Sequence, residues 1–214
     1  MYSGVFPALL TPLTKEDEID THAICELIDF VLAKGVHGLY ICGSTGEGIL
    51  LAEAERRLVA ETTVKHVAGR APIIVHVGAP ATAGAARLAR HAHEAGADAV
   101  ASVPPFYFQV GQDGIKEHYR HIAHATELPV YIYNIPASTN VNVSADLVQT
   151  LFEEGAVQGL KFTSPDQLAF REILEACRGK LNAFSGPDQM LLSFLVMGAH
   201  GGIGTTYNFM PGLY

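Results

Sequence analysis

The sequence predicts a single α/β domain over residues 1–214, a (β/α)8 or TIM barrel. Three observations predict it. Eight short apolar runs recur along the chain. Segments with helical periodicity separate them, which implies parallel strands joined by crossovers. The glycine-rich GxGxxG turn expected after the first strand of an open dinucleotide-binding sheet is missing; "LLTPLTKED" stands there instead.

One phrase, varied four times, marks half of the strands. "KGVHGLYICG" (34–43), "AGADAVASVP" (95–104), "EGAVQGLKFT" (154–163) and "MGAHGGIGTT" (197–206) each begin with a glycine suited to cap a preceding helix in the left-handed conformation. Each then runs into a short apolar strand. The remaining strands are "GVFPALLTP" (4–12), "APIIVHV" (71–77), "LPVYIYNI" (128–135) and "LNAFSG" (181–186).

The intervening helices follow in order. "DTHAICELIDFVLAKG" carries an apolar stripe at Ile24, Leu27, Ile28, Val31 and Leu32. "LAEAERRLVAETTVKHVAG" and "ATAGAARLARHAHEAG" are rich in helix formers and stop at glycine. "SADLVQTLFEEG" opens at an N-cap serine, Ser144. "SPDQLAFREILEACRG" is expected to start with Ser164 as N-cap and Pro165 at the first helical position. "GPDQMLLSFLVMG" supplies the helix before the last strand. Only "YNFMPGLY" follows strand eight. About 250 residues is typical of this fold, so the expectation is a barrel truncated at its C-terminal end, without its eighth helix or C-terminal helices.

Composition narrows the function classes. The chain is 49% hydrophobic and 17% charged, a globular balance, with a net charge of -8 and no basic run of the kind that grips nucleic acid. No apolar stretch is long enough to cross a bilayer, and prolines interrupt the N-terminal apolar run, unlike a signal peptide. Three widely spaced cysteines, Cys25, Cys42 and Cys177, suggest neither a zinc knuckle nor a disulfide framework. A reducing cytoplasm fits them.

Chemistry in such barrels collects where the strands end. Strand two ends in "CGSTGEG", strand five in "YIYNIP", strand six at Lys161 and Thr163, strand seven in "FSGPDQ" and strand eight in "GIGTTYN". A lysine closing a buried strand either snorkels to water or serves as a desolvated nucleophile. The "GSTGEG" loop (43–48) is either an ordinary turn or a carboxylate cradle of backbone amides with Ser44 and Thr45 beside them, aided by the dipole of the next helix. Tyr133 shares a strand face with Tyr131 and is the nearer to the strand end; a tyrosine beside an amine can carry protons. His118, His121 and His124 lie three apart on the outer ring, which is read as a solvated or interface face and no metal site. Cys42 is read as a small buried thiol.

"GSTGEG", "YNIP", "GLKFTS" and "LVMGAHGGIGTTYN", in this order, resemble the N-acetylneuraminate lyase and dihydrodipicolinate synthase family. The resemblance covers residues 2–210 and implies a class I aldolase. Lys161 would form a Schiff base with a 2-oxo acid, with no metal or organic cofactor. Tyr133 would carry protons, and Ser44 and Thr45 would hold the pyruvate carboxylate. Tyr107 of "PPFYF" would reach a neighbouring subunit's site within a homotetramer of dimers. Thr163, Gly186, Asp188, Gln189 and Thr205 match positions around the rest of the substrate. Two departures matter. Synthases have an arginine two residues after the proline of "YNIP", where this chain has Ser138. Lyases have glutamate where this chain has Gln189. N-acetylneuraminate is the first substrate expected. An aldolase or dehydratase of shorter 2-oxo-3-deoxy sugar acids, the synthase, and a pyruvate-binding pseudoenzyme are the alternatives.

Overall fold

A computed structural model describes residues 1–214. Eight parallel strands form one sheet: β1 (Gly4–Pro7), β2 (Leu39–Ile41), β3 (Ile73–His76), β4 (Ala99–Ser102), β5 (Val130–Asn134), β6 (Gly159–Phe162), β7 (Asn182–Ser185) and β8 (Gly201–Gly204). Their order is β1-β8-β7-β6-β5-β4-β3-β2. The ring closes between β1 and β2, where Ala8 bridges Tyr40 and the Leu9 amide donates to the Tyr40 carbonyl at 2.8 Å. The predicted barrel is therefore present.

The helices lie outside it: α1 (Thr21–Ala33), α2 (Glu53–Val67), α3 (Thr82–Ala95), α4 (Gln112–His124), α5 (Pro136–Thr139), α6 (Ala145–Glu153), α7 (Gln167–Ala176) and α8 (Leu191–Val196). The short α5 is an extra turn directly after β5. After β8 come two 3-10 turns, Thr206–Asn208 and Pro211–Leu213. The four phrase glycines, at 35, 96, 155 and 198, all have positive φ. Ser144 caps α6 by accepting from the Leu147 amide. The cap of α7 differs from expectation: Asp166, and not Ser164, accepts from the Ala169 amide, and the helix begins at Gln167. Asp166 wins because Ser164 Oγ instead accepts from the Asp166 amide, closing the turn that leads into the helix.

Alternation sorts each strand. Outward residues such as Ile41, Val75, Val100, Ile132 and Leu160 join the helices in one large core, and inward residues form a second, smaller one of Phe6, Tyr40, Ile74, Ala101, Tyr131, Tyr133 and Phe184. Small residues make room for these rings. At Gly159 an added Cβ would come within 2.0 Å of the Tyr131 ring.

The expected solvated or interface histidine face is corrected at one position, which packs inside the chain's own core. His121 and His124 are exposed, but His118 is only 1% exposed. Ser102 Oγ donates to the Val103 carbonyl, so it accepts from His118 Nε2 at 3.0 Å, and His118 Nδ1 accepts from Thr82 Oγ1 at 2.9 Å. The sequence shows only the spacing of these histidines; the side of α4 that meets α3 and β4 is set by packing. Burial pushes this imidazole down to about 4, with His121 adding to the effect. The folded group resists a proton that the unfolded chain accepts near 6.5. Its contribution is full above that value and is lost as pH falls toward 4. Urea unfolding between pH 7 and 4 should show a stability loss that is shallower in His118→Gln; equal slopes would contradict this.

Candidate active site

Parallel register brings the central pair together. Tyr133 on β5 pairs with Lys161 on β6, and both face the barrel interior. Lys161 is 4% exposed. Its Nζ lies 4.2 Å from the centre of the Tyr133 ring and 4.3 Å from that of Tyr40. No carboxylate forms an ion pair with it. It does not snorkel to bulk water; aromatic faces hold it at the inner end of the mouth.

Above this pair stands the loop after β2. Ser44 Oγ is 3.3 Å from Tyr133 Oη, and Thr45 Oγ1 is 2.7 Å from Thr205 Oγ1. The backbone amides of Ser44 and Thr45 make no hydrogen bond within the chain. Free amides beside two hydroxyls suit an anion. The glycines fold the loop back on the strand: at Gly48 a Cβ would fall 1.9 Å from the Cys42 carbonyl oxygen. The loop does not open a helix directly, as the sequence suggests. Turns continue through Leu50, α2 starts at Glu53, and Glu53 and Glu55 occupy its first turn. The helix dipole is therefore already matched by its own carboxylates. Cys42 is buried, and burial raises its thiol to about 11.

The other expected residues spread around the mouth. Thr163 Oγ1 is buried without a protein partner and faces Gly186, where a Cβ would clash with it. Asp188 Oδ2 accepts from both the amide and the hydroxyl of Thr206 at 2.7 Å. Gln189 is exposed on the 3-10 turn that precedes α8. Tyr107 is 87% exposed, packs edge-on against Phe108, and makes no hydrogen bond in its own chain.

A cavity of about 270 Å³ opens at the mouth on the side of β2 to β5; Ser44 and His76 line it, and Lys161 and Tyr133 do not. Ser44, Glu47, Val103, Ile135, Ser138 and Thr139 contribute to its walls, as does His76, which sequence reasoning overlooked. Its signal was a lone histidine at the end of "APIIVHV", at the barrel mouth like Lys161. His76 is 2% exposed and donates from Nδ1 to the Cys42 carbonyl at 3.0 Å. Burial, then the charge of Arg56, and last that of Lys161, hold its imidazole well below the usual range. Arg56 was also overlooked, because it lies near the start of α2 and not at a strand end. It reaches under the mouth and donates to the carbonyls of Gly78 at 2.8 Å and His76 at 2.6 Å.

A family model described as "Dihydrodipicolinate synthetase family" matches residues 1–214. The chain is 40% identical over 212 residues to an N-acetylneuraminate lyase of Citrobacter koseri, covering 99% of this chain and 71% of that protein. It is 38% identical over 213 residues to a 4-hydroxy-tetrahydrodipicolinate synthase of Phenylobacterium zucineum, with the same two shares. The solved wild-type sialic acid aldolase of Ruminococcus gnavus superimposes with a TM-score of 0.96 at 34% identity, covering all of this chain and 71% of that one. Whole-chain identity thus does not separate lyase from synthase.

Replacing Arg56 tests the clamp. Arg56→Ala strands two buried carbonyls, at roughly 1–3 kcal/mol for a group left unsatisfied. Chemical unfolding should register that loss, and Arg56→Lys should recover part of it, since one ammonium lacks the fork that reaches both oxygens. An Arg56→Ala protein as stable as the original would show that the clamp carries no stability.

Proposed function

Because the chain belongs to the dihydrodipicolinate synthetase family, whose lyase members break carbon–carbon bonds, we propose that it is a class I aldolase cleaving a 2-oxo sugar acid to pyruvate and an aldehyde, with N-acetylneuraminate, giving N-acetylmannosamine, as first substrate. The observation that carries the proposal is Lys161: a buried amine, free of any carboxylate, held against the Tyr133 ring. Its lone pair attacks the substrate ketone, and loss of water gives an imine. Tyr133 takes the proton of the C4 hydroxyl while the protonated imine draws the electrons of the breaking carbon–carbon bond, leaving the enamine of pyruvate and a neutral aldehyde. The enamine takes a proton, and hydrolysis frees pyruvate and the amine. Every step is served by side chains, so the reading requires no metal or organic cofactor.

Tyr133 is the proton carrier in this scheme, with Ser44 as its hydroxyl partner 3.3 Å away. The amides and hydroxyls of Ser44 and Thr45 receive the substrate carboxylate. Thr163 and Gly186 border the reacting carbons, and Asp188, Gln189 and Thr205 flank the far end. The same reading makes the enzyme a cytoplasmic homotetramer in which the exposed Tyr107 completes a neighbouring subunit's hydroxyl relay.

Ser138 supports a neutral tail over an acidic one. It lines the cavity together with Glu47, and no lysine or arginine is among the lining residues. A second carboxylate, as in the synthase reaction, would meet like charge there without a cation to offset it. Shorter 2-oxo-3-deoxy sugar acids remain the second substrate class, since Gln189 stands where lyases carry glutamate.

Two experiments test this reading. Pyruvate with borohydride should add one reduced pyruvate at Lys161, and Lys161→Arg should not be labelled, because guanidinium cannot attack. Labelling at Lys65 or Lys180 would refute the assignment. Tyr133→Phe should still trap pyruvate, yet lose turnover by roughly 10²–10⁴, the worth of a positioned acid–base group. Near-normal pyruvate release from N-acetylneuraminate or 2-oxo-3-deoxygluconate by that variant would remove Tyr133 from the proton path.

A further inference from the structure

We propose that His76 is a further specificity-determining residue: its Nε2 lone pair accepts a hydrogen bond from a hydroxyl on the part of the substrate beyond the pyruvate unit. The proposal rests on the aldolase reading above and names the chemistry its far end selects.

Geometry fixes which nitrogen is which. A carbonyl oxygen only accepts, so the 3.0 Å contact with Cys42 places the proton on Nδ1. In the neutral ring Nε2 is then an acceptor. That nitrogen is buried and has no partner in the protein. Buried polar atoms are normally paired, and an exception beside a cavity marks a place for a ligand atom.

The ring is also immobilised. It stands edge-on to Tyr133, with centroids 5.7 Å apart, and tilted toward Tyr40 at 6.3 Å. Arg56 holds its carbonyl from below. Gly78 packs close to the nitrogen: a Cβ there would come within 2.7 Å of Nε2. The same cavity wall carries Ser44, which bonds Tyr133, and Ser138 on the other side. In this reading a tail extending past Lys161 runs between His76 on this wall and Asp188, Gln189 and Thr205 across the mouth.

A fixed acceptor discriminates in one direction. A hydroxyl donates to it, whereas a carboxylate or ketone oxygen opposes it lone pair to lone pair. His76 thus favours a polyhydroxylated tail and rejects an acidic one by repulsion, alongside Glu47.

Nitrogen-15 NMR of the unaltered protein tests this directly. Lys161 is first reduced onto pyruvate with borohydride. N-acetylmannosamine or glyceraldehyde, the aldehyde halves of the two substrate classes, is then added. One of them should move the unprotonated Nε2 resonance in the direction of hydrogen bonding, and acetate should not. In kinetics, His76→Asn keeps a donor for the Cys42 carbonyl but lacks Nε2. It should raise KM for N-acetylneuraminate or 2-oxo-3-deoxygluconate roughly tenfold to a hundredfold with kcat little changed, the pattern of a bond made equally in ground and transition states. An Nε2 resonance unmoved by either aldehyde, with pyruvate still trapped on Lys161, overturns the role of His76 and leaves the aldolase standing. Failure of the unaltered protein to trap pyruvate at Lys161 overturns the aldolase reading and, with it, this one.

Discussion

The pairing of Tyr133 with Lys161 across β5 and β6 is the constraint on which the site depends. Side chains alternate along a strand, so a slip of one residue would turn Lys161 into the helical layer. Such a slip would also place Leu160 and Phe162 inside the barrel, where Tyr131 and Phe184 already fill the space. The hydrophobic sorting of β6 therefore holds the amine in place. Outward Leu160 and Phe162 belong to the large core and cannot be exchanged for Gly159 and Lys161 without emptying it.

Interior packing then decides how deep the amine sits. Gly159, one inward position below Lys161, has no side chain, and the Tyr131 ring occupies that space. Tyr131 Oη is bonded to Asn182 at 2.6 Å, and Asn182 in turn holds the backbone of Tyr2. This polar plug closes the lower end of the barrel. Tyr133, two residues later, has Ser44 as its neighbour at the upper end. Two tyrosines on one strand face thus have unlike neighbours: Asn182 of β7 below, and Ser44 of the loop after β2 above.

The mouth is divided. Toward β7 and β8, Asp188 is occupied by Thr206, and Asn208 ties the same segment to the Ala8 carbonyl and the Leu10 amide. Toward β2 to β5 the walls leave open volume, bounded by apolar Val103 and Ile135 and by the polar groups of Glu47, His76 and Ser138. Arg56 stiffens that side by holding the last carbonyl of β3, at His76, and that of Gly78 in the loop after it.

The sequence by itself determined the eight strands, the barrel and the strand-end location of Lys161, Tyr133 and Ser44. Those follow from local rules: period-two alternation, helical stripes and glycine caps are written in neighbouring residues. It also carried the family motifs, whose spacing is fixed by the same repeat. Only the tertiary structure decided that His118 is buried while His121 and His124 are not, and that the cavity lies beside His76 and Ser138. Each of these depends on which face of an element meets a neighbour distant in the chain. His76 shows the reason most clearly: an unremarkable histidine ending an apolar strand becomes a fixed acceptor only when the Cys42 carbonyl, Arg56 and the Tyr133 ring, drawn from three other elements, enclose it.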